Sequence, residues 1–555
     1  MDRVLNSKLR LVSTLIAALA LLLSGSSQKS AMALDGPTIK LVIADGATLS
    51  DIVTVTAKVS DSNNVDIDKV EFAIDDQLKF TDQSVPYEFD WDTLADKEGT
   101  HTISATAYNA KGKTASTKIT ITVDNELSKG ATALSATATE ALKAGETEKA
   151  MKFARRALVV EPTNIPASRV LANLYRSKGE FNKGIEVLAK LDLPDSEIDA
   201  RAELVALHIM KGDSSINAED FIAESTLAAE IYHKIALAKI ALAKAGSGDI
   251  ETLAINRGDA YFADNDWNSA LREYESAGDP ATGPMLAVNR TILTLIRSGR
   301  LKEANLALSQ VKRSNRGDKV TETVQGLYFI ANSEFKKAED ALAGPAIAGN
   351  TAAQIANAYV LINRGQMKKA RVIGDKLKES SPQLAETQLL ISYLEPDALD
   401  AKAAFTRAVA LEPNSAQPYV VRGGQVMSTK DSGRFKLADP IFDFALKLDP
   451  KSSFAMIGKS LSFLIQQKPN EAEPMILKLL DLEPNAPDVH FIAAALYQQE
   501  DKSAKITQHL NIANKIDPDR WADAFVPKPQ DLATKVLRFR FAPMISPASL
   551  FAESK

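Results

Sequence analysis

The 555 residues contain no cysteine. Thiolate catalysis, Cys-ligated zinc, iron–sulfur clusters, disulfides and a lipid-modified N-terminal cysteine are thereby excluded together. Aromatic residues are scarce, at 6%. Alanine is abundant, a balance that favours close helix packing through small side chains over large sandwich or barrel cores. Twenty-six glycines and 23 prolines are too few for a collagen-like or low-complexity chain. Positive charge is also short: the net charge is −5, and Arg3, Lys8, Arg10 and Lys29 against Asp2 place +3 on residues 1–33, which leaves about −8 on the remainder. Nucleic-acid affinity comes from clustered cationic contacts, so no nucleic-acid partner is expected. Catalytic signatures are missing as well. His101, His208, His233, His490 and His509 lack metal-ligand spacing, and no H-E-x-x-H, phosphate-loop or G-x-S-x-G pattern occurs. Ser333-Glu334-Phe335-Lys336 matches S-x-x-K, but it falls where a turn between two helices is expected. No enzyme, cofactor or metal is expected.

Long hydrophobic runs are absent too, and the longest is instructive. Residues 1–33 show Arg3, Lys8 and Arg10, then the apolar stretch Leu11–Leu23, then small residues ending Ala31-Met32-Ala33. That order is the grammar of a secretory signal peptide, with cleavage expected after Ala33. Thirteen residues fall short of the roughly 20 that span a bilayer as a helix, although an uncleaved anchor is the competing reading. The mature chain is expected to be extracytoplasmic, periplasmic or secreted, and not an integral membrane protein.

From about residue 36 to 124 apolar residues alternate. Val53, Val55, Ala57 and Val59 share one strand face, as do Val70, Phe72 and Ile74, then Tyr87, Phe89 and Trp91, then Ile103, Ala105 and Ala107, with Ile119, Ile121 and Val123 closing the series. Period two across several short runs, separated by turn residues such as Asp45-Gly46, Asp75-Asp76 and Asn109-Ala110-Lys111-Gly112, predicts about seven strands in a two-sheet sandwich. Trp91 keeps phase with Tyr87 and Phe89, which places it in the core, with a sugar-stacking platform as the alternative. The acidic stretch Asp61 to Asp68 offers oxygen ligands of the kind calcium takes; turn closure by Asp and Asn side chains is the plainer account. The runs Val70-Glu71-Phe72-Ala73-Ile74-Asp75, Pro86-Tyr87-Glu88-Phe89-Asp90-Trp91-Asp92 and Gly99-Thr100-His101-Thr102-Ile103 resemble bacterial Ig-like domains. The resemblance implies a spacer or adhesion module and carries over no functional residue.

After Asn125 the period changes. Ala150, Ala154, Ala157 and Pro162 follow Gly145; Gly179 lies 34 residues further on; Gly258, Tyr261, Ala270, Tyr274 and Ala277 repeat the scheme, and Pro450, Pro484 and Pro518 are spaced by 34. A fixed 34-residue period predicts a solenoid of helix pairs. The pattern resembles the tetratricopeptide repeat (TPR), in which small residues sit where two helices cross, aromatics fill the space beside them, and a proline, lacking the amide a helix interior needs, stops the second helix. About eleven units are expected over residues 127–523, starting near 131, 165, 198, 251, 285, 319, 351, 382, 417, 453 and 487. A long Ala-rich helix ending near Ala245 reads as an elongated second helix or a hinge, and Ser428–Arg434 as an inserted surface loop. Residues 524–555 form a tail, in which Leu537, Phe539 and Phe541 alternate with Arg538 and Arg540 like an amphipathic strand.

The expected fold class is therefore multidomain, an all-β Ig-like sandwich followed by an all-α TPR-type solenoid. Stacked first helices line a concave groove in such arrays. The resemblance places groove contacts at Arg169, Asn173, Arg176, Asn256, Asp259 and Asn289. Arg169 and Asn173 stand one helical turn apart, where they could hold a peptide carboxylate or amide jointly. The implied function is a non-enzymatic exported scaffold that binds a protein or peptide ligand in the groove, with the Ig-like domain for positioning or adhesion. The alternative is a component of exopolysaccharide or cell-envelope assembly that binds envelope glycan.

Overall fold

The computed structural model describes residues 36–516 except 216, 396, 428 and 430–432, together with 526, 528–533 and 545–552. Residues 1–33, most of the loop at 428–434 and the alternating stretch 537–541 lie outside the described residues. The chain divides into two compact units between Leu134 and Ser135.

In the first unit, eight strands form two sheets. They are β1 Pro37–Leu41, β2 Thr48–Leu49, β3 Ile52–Asp61, β4 Ile67–Ile74, β5 Gln77–Asp82, β6 Tyr87–Asp92, β7 Gly99–Asn109 and β8 Thr114–Val123. One sheet has the order β1-β3-β6 and the other β2-β8-β7-β4-β5. The inward faces are the alternating residues: Val55, Val70, Phe72, Ile74, Trp91, Ile103, Ala105 and Ile121 are all buried. Ile74 pairs with Gln77 across the two-residue turn Asp75-Asp76, whose φ angles are 48° and 62°. Two successive positive φ values suit the right-handed twist of a hairpin, and aspartate tolerates them better than most residues. Trp91 is a core residue, and its Nε1–H donates to Asp96 Oδ2 at 2.8 Å. Asp61 spends its carboxylate on turn closure, accepting from the Asn63 amide at 2.8 Å and from Asn109 Nδ2 at 2.8 Å.

Across the boundary between Leu134 and Ser135 and through the second unit the helices follow one another in pairs. These are α1 Ala131–Lys143 with α2 Thr147–Val160, α3 Ile165–Ser177 with α4 Phe181–Ala189, α5 Ile198–Ser214 with α6 Ala218–Ala245, α7 Ile250–Ala263 with α8 Trp267–Ala277, and α9 Met285–Arg297 with α10 Leu301–Arg313. They continue as α11 Lys319–Ala331 with α12 Phe335–Ile347, α13 Thr351–Asn363 with α14 Met367–Ser380, α15 Ala385–Leu394 with α16 Ala398–Leu411, α17 Ala416–Met427 with α18 Arg434–Leu448, α19 Ser453–Ile465 with α20 Pro469–Leu482, and α21 Pro487–Gln499 with α22 Ser503–Ile516. Two short helices follow, α23 Pro529–Leu532 and α24 Pro547–Leu550. Pro162, Pro382, Pro413, Pro450 and Pro484 each stand two residues beyond the end of a second helix.

Two glycine positions that look alike in the sequence do different work. Gly145, Gly179, Gly299 and Gly365 have φ between 72° and 75° and turn the first helix into the second. A left-handed residue at that point satisfies the last helical carbonyls, and glycine takes the conformation without steric cost. Asn265, Ser333, Gln467 and Asp501 hold the same left-handed turn in other pairs. Gly258 and Gly326 instead lie within first helices, where an added Cβ would press into the Tyr274 ring and the Leu342 side chain of the second helix. On the second helices, Ala270, Ala304, Ala338, Ala370, Ala404, Ala438 and Ala472 are all fully buried, and nearly all are 34 residues apart.

The array also closes on itself. The long Ala-rich segment is one elongated second helix, α6, and it packs on α18, while α16 packs on α5. Phe221 and Tyr419 rings meet at 6.0 Å. Asn265 Nδ2 donates to the Asn414 carbonyl at 2.8 Å, Asn414 Nδ2 returns a bond to the Ala263 carbonyl at 2.7 Å, and Thr406 Oγ1 donates to Asp213 Oδ2 at 2.8 Å. The third and fourth pairs thus meet the eighth and ninth.

Candidate functional site

Closure encloses a cavity of about 800 Å³ on the inner side of the array, with Trp267, Arg297, Arg300, Tyr359, Phe454 and Ile545 in its wall. The lining comes from first helices, from the turns on either side of them and from the ends of second helices, such as Trp267 at the start of α8 and Leu448 and Leu482 at the ends of α18 and α20.

The six residues expected to line the groove do not form one site. Arg169 and Arg176 leave α3 toward the next pair and meet carboxylates of α5: Arg169 Nη2 is 3.0 Å from Asp199 Oδ2, and Arg176 Nε is 2.6 Å from Glu203 Oε1. Both guanidinium charges are thus paired within the chain. Asn173 lies half-buried between them. Asn256 is exposed, beside the C-terminal end of α6. Asn289 is fully buried, where it donates to Asp318 Oδ1 at 3.3 Å and accepts from Thr321 Oγ1 at 3.0 Å, tying α9 to the N-terminus of α11. Asp259 accepts from the Tyr274 hydroxyl at 2.7 Å and from Arg290 Nε and Nη2 at 2.8 and 3.1 Å.

Through Arg290, Asp259 reaches a feature the motif template did not anticipate. Residues 545–552 are seated on the inner face against α9, α13 and α15. Glu386 on α15, 1% exposed, accepts the Ser546 amide and the Ser549 hydroxyl, each at 2.8 Å. Asn350 caps α13 by accepting the Ala353 amide at 2.9 Å, and its Nδ2 donates to the Leu550 carbonyl at 2.9 Å. The Thr351 amide, among the first helical N–H groups that have no intrahelical acceptor, donates to the Ala552 carbonyl at 3.0 Å. Ile545 and Leu550 are buried in the same apolar cluster as α9 to α15, and the Arg290 guanidinium lies 4.2 Å from the centroid of the Phe551 ring. The signal that could have found this seat is slight: the capping pattern Ser546-Pro547-Ala548-Ser549 late in the chain.

Around the seat the interior is electrostatically tense. Burial, reinforced by the neighbouring Glu386 charge and opposed by Arg297, pushes the Glu412 carboxyl up to about 8. Burial, then the charges of Glu412, Glu386 and Asp264, drives the Tyr232 phenol upward. Among the described residues no three His, Asp or Glu side chains gather at metal-ligand spacing. No helix among them is long and apolar enough to cross a membrane.

These observations define the class of protein: an Ig-like β-sandwich joined to a TPR-type helical array. The family model of the bacterial Ig domain matches residues 37–105. Among solved structures, the chain is similar to the fibronectin(III)-like modules of Clostridium thermocellum CbhA, at 29% identity over 16% of this chain and 46% of that one, with a TM-score of 0.14. It therefore spans less than half the length of that chain. It is also similar to the APC/C heterotetramer Cut9-Hcn1, at 13% identity over 73% of this chain and 95% of that one with a TM-score of 0.39. Yeast Tom70 matches at 15% identity over 76% of this chain and 99% of that one, with a TM-score of 0.27. No curated protein matches it in sequence.

Proposed function

We propose that this protein is a non-enzymatic exported scaffold that holds protein or peptide partners on the inner face of its helical array, while the Ig-like domain positions or attaches it. One observation carries the reading: the inner face already accommodates a non-repeat peptide segment, residues 545–552, through buried polar side chains of α13 and α15. A surface able to satisfy peptide amides and carbonyls in a dry setting is a peptide-binding surface by its chemistry. Export rests on the charged, apolar and small-residue zones of residues 1–33. The glycan alternative gains no such support. Trp91 is buried with its indole N–H engaged, and Trp267, half-buried in the cavity wall, packs against Phe262 with the Arg297 guanidinium 5.7 Å from its ring.

Two measurements test this reading. N-terminal sequencing of the chain recovered from its native host should begin after Ala33, and a chain beginning at Met1 would remove export. A photo-crosslinking residue placed at Arg300 or Phe454, in the cavity wall, should capture a defined partner protein that the same probe at exposed Val372 on α14 does not. Equal capture at all three positions, or none, would remove the inner face as the binding surface.

A further inference from the structure

Glu386 poses the question. A carboxylate at 1% exposure is costly to bury unless its oxygens are satisfied. Among the described residues both hydrogen bonds to it come from residues 545–552 and neither from a neighbouring helix of the array. Asn350 repeats the logic, since one end of its amide caps its own helix and the other is turned toward the Leu550 carbonyl. The Thr351 amide and the face of the Phe551 ring complete the arrangement: two donors read carbonyls, one acceptor reads an amide and a hydroxyl, and a cation covers an aromatic ring. Each of these contacts is to a main-chain amide, a main-chain carbonyl or a side chain within residues 546–552.

We propose that the inner face from α9 to α15 is a recognition site for a peptide of the pattern apolar-Ser-Pro-x-Ser-Leu-aromatic. In this chain residues 545–552 occupy it as a built-in competitor, and a partner segment of the same chemistry enters by displacing them. The proposal rests on the scaffold reading and adds to it the ligand class and its control. Ile545 and Leu550 fill the apolar wells, Ser546 and Ser549 engage Glu386, and Phe551 lies under Arg290, which Asp259 holds in place by two hydrogen bonds. Asp259 is thus a positioning residue for the site. Because the competitor belongs to the same chain, it acts at a local concentration in the millimolar range, which is enough to mask a site of micromolar affinity.

The test uses the full chain and a labelled synthetic peptide, Ile-Ser-Pro-Ala-Ser-Leu-Phe-Ala. Leu550→Asp places a charge in the apolar well and should release the built-in segment. Fluorescence anisotropy should then show the peptide binding at least about tenfold tighter than to the unaltered chain. Adding Glu386→Leu should abolish that gain. Hydrogen exchange should show protection lost at the Thr351 amide and across 546–552 while the interior of α13 stays protected. Phe551→Ala, a milder change at a half-buried residue, should give the same gain in smaller measure. Equal peptide affinity for all variants would overturn the proposal. So would loss of protection throughout α13 and α15, which would make the segment a structural plug. If the peptide binds nowhere yet the crosslinker at Arg300 still captures a partner, this site fails and the scaffold reading stands. If the peptide binds as expected and no partner is ever captured, the site stands and the scaffold reading fails.

Discussion

The packing at Phe442 permits a sign to be foretold. Its ring on α18 is fully buried, and the same ring edge is approached by Gly423 of α17 and Gly458 of α19. An added Cβ at Gly423 would stand 2.6 Å from the ring, and one at Gly458 nearer still. Replacing glycine by alanine in a helix interior normally stabilises by about 1 kcal/mol, because the backbone loses less entropy. Overpacking a filled core costs about 1–3 kcal/mol. With a contact this short and a second helix against the same edge, the steric cost should win, so Gly458→Ala should destabilise by about 1–2 kcal/mol. Phe442→Ala alone should cost about 3–5 kcal/mol. In that background the clash is gone, and Gly458→Ala should become stabilising by about 1 kcal/mol. The coupling would be about 2–3 kcal/mol, at the top of the range for contacting residues. A chain of this length does not unfold in one step, so the readout should be hydrogen-exchange protection of α17 to α20 under increasing urea. A Gly458→Ala change that stabilises equally in both backgrounds would refute the reasoning.

Two further predictions come from charge. His509 on α22 stacks against Tyr497, and its Nδ1 is 3.0 Å from Nδ1 of His490. Burial, then the charges of His490 and Lys505, lowers its pKa from 6.5. The unfolded chain therefore takes up the proton first, so stability is full above about pH 6.5 and falls as the pH drops below it. Hydrogen-exchange protection of α21 and α22, corrected for intrinsic rates, should decline from about pH 7.5 to 5.5, and less steeply in His509→Asn; an unchanged slope would acquit this pair. Arg169→Ala removes an ion pair whose members are 41% and 73% exposed, so the hydrogen-exchange protection of α3 and α5 should fall by less than about 1 kcal/mol. A larger loss would show that the pair ties α3 to α5.

The parts of the fold legible in the sequence are those that repeat. Gly145 and Gly179, Ala270 and Ala304, and Pro450 and Pro484 each mark one place in a helix pair, and a pair packs mainly on its neighbours, so the same physical demand returns every 34 residues. In the sandwich, alternation worked for the same reason: β3, β4, β6 and β7 each bury one face. Legibility weakens where different residues meet one demand. Asn265, Ser333, Gln467 and Asp501 take the left-handed turn that glycine takes elsewhere, and no residue type marks the set.

What could not be read is what happens once. The bonds between Asn265 and Asn414, and between Thr406 and Asp213, join residues about 150 to 190 positions apart and belong to no motif. Only the unusual length of α6 hinted that the third pair had a second surface to cover. The same limit explains the groove residues. A motif template assumes that every first helix presents one face to an open concavity. Here Asn289 is consumed in binding the next helix, Arg169 and Arg176 are paired with α5, and Asp259 is turned toward Arg290. The polar groups that do face a peptide, Asn350 and Glu386, lie in the opening turns of α13 and α15, where the periodic pattern sees only a cap and a buried position. Eight residues at 545–552 are too few to carry any period, and their place is set by the complementarity of one acceptor, two donors and two apolar wells. Such complementarity exists only after the array has brought α9, α13 and α15 together, so it is a property of the assembled inner face and not of any single repeat.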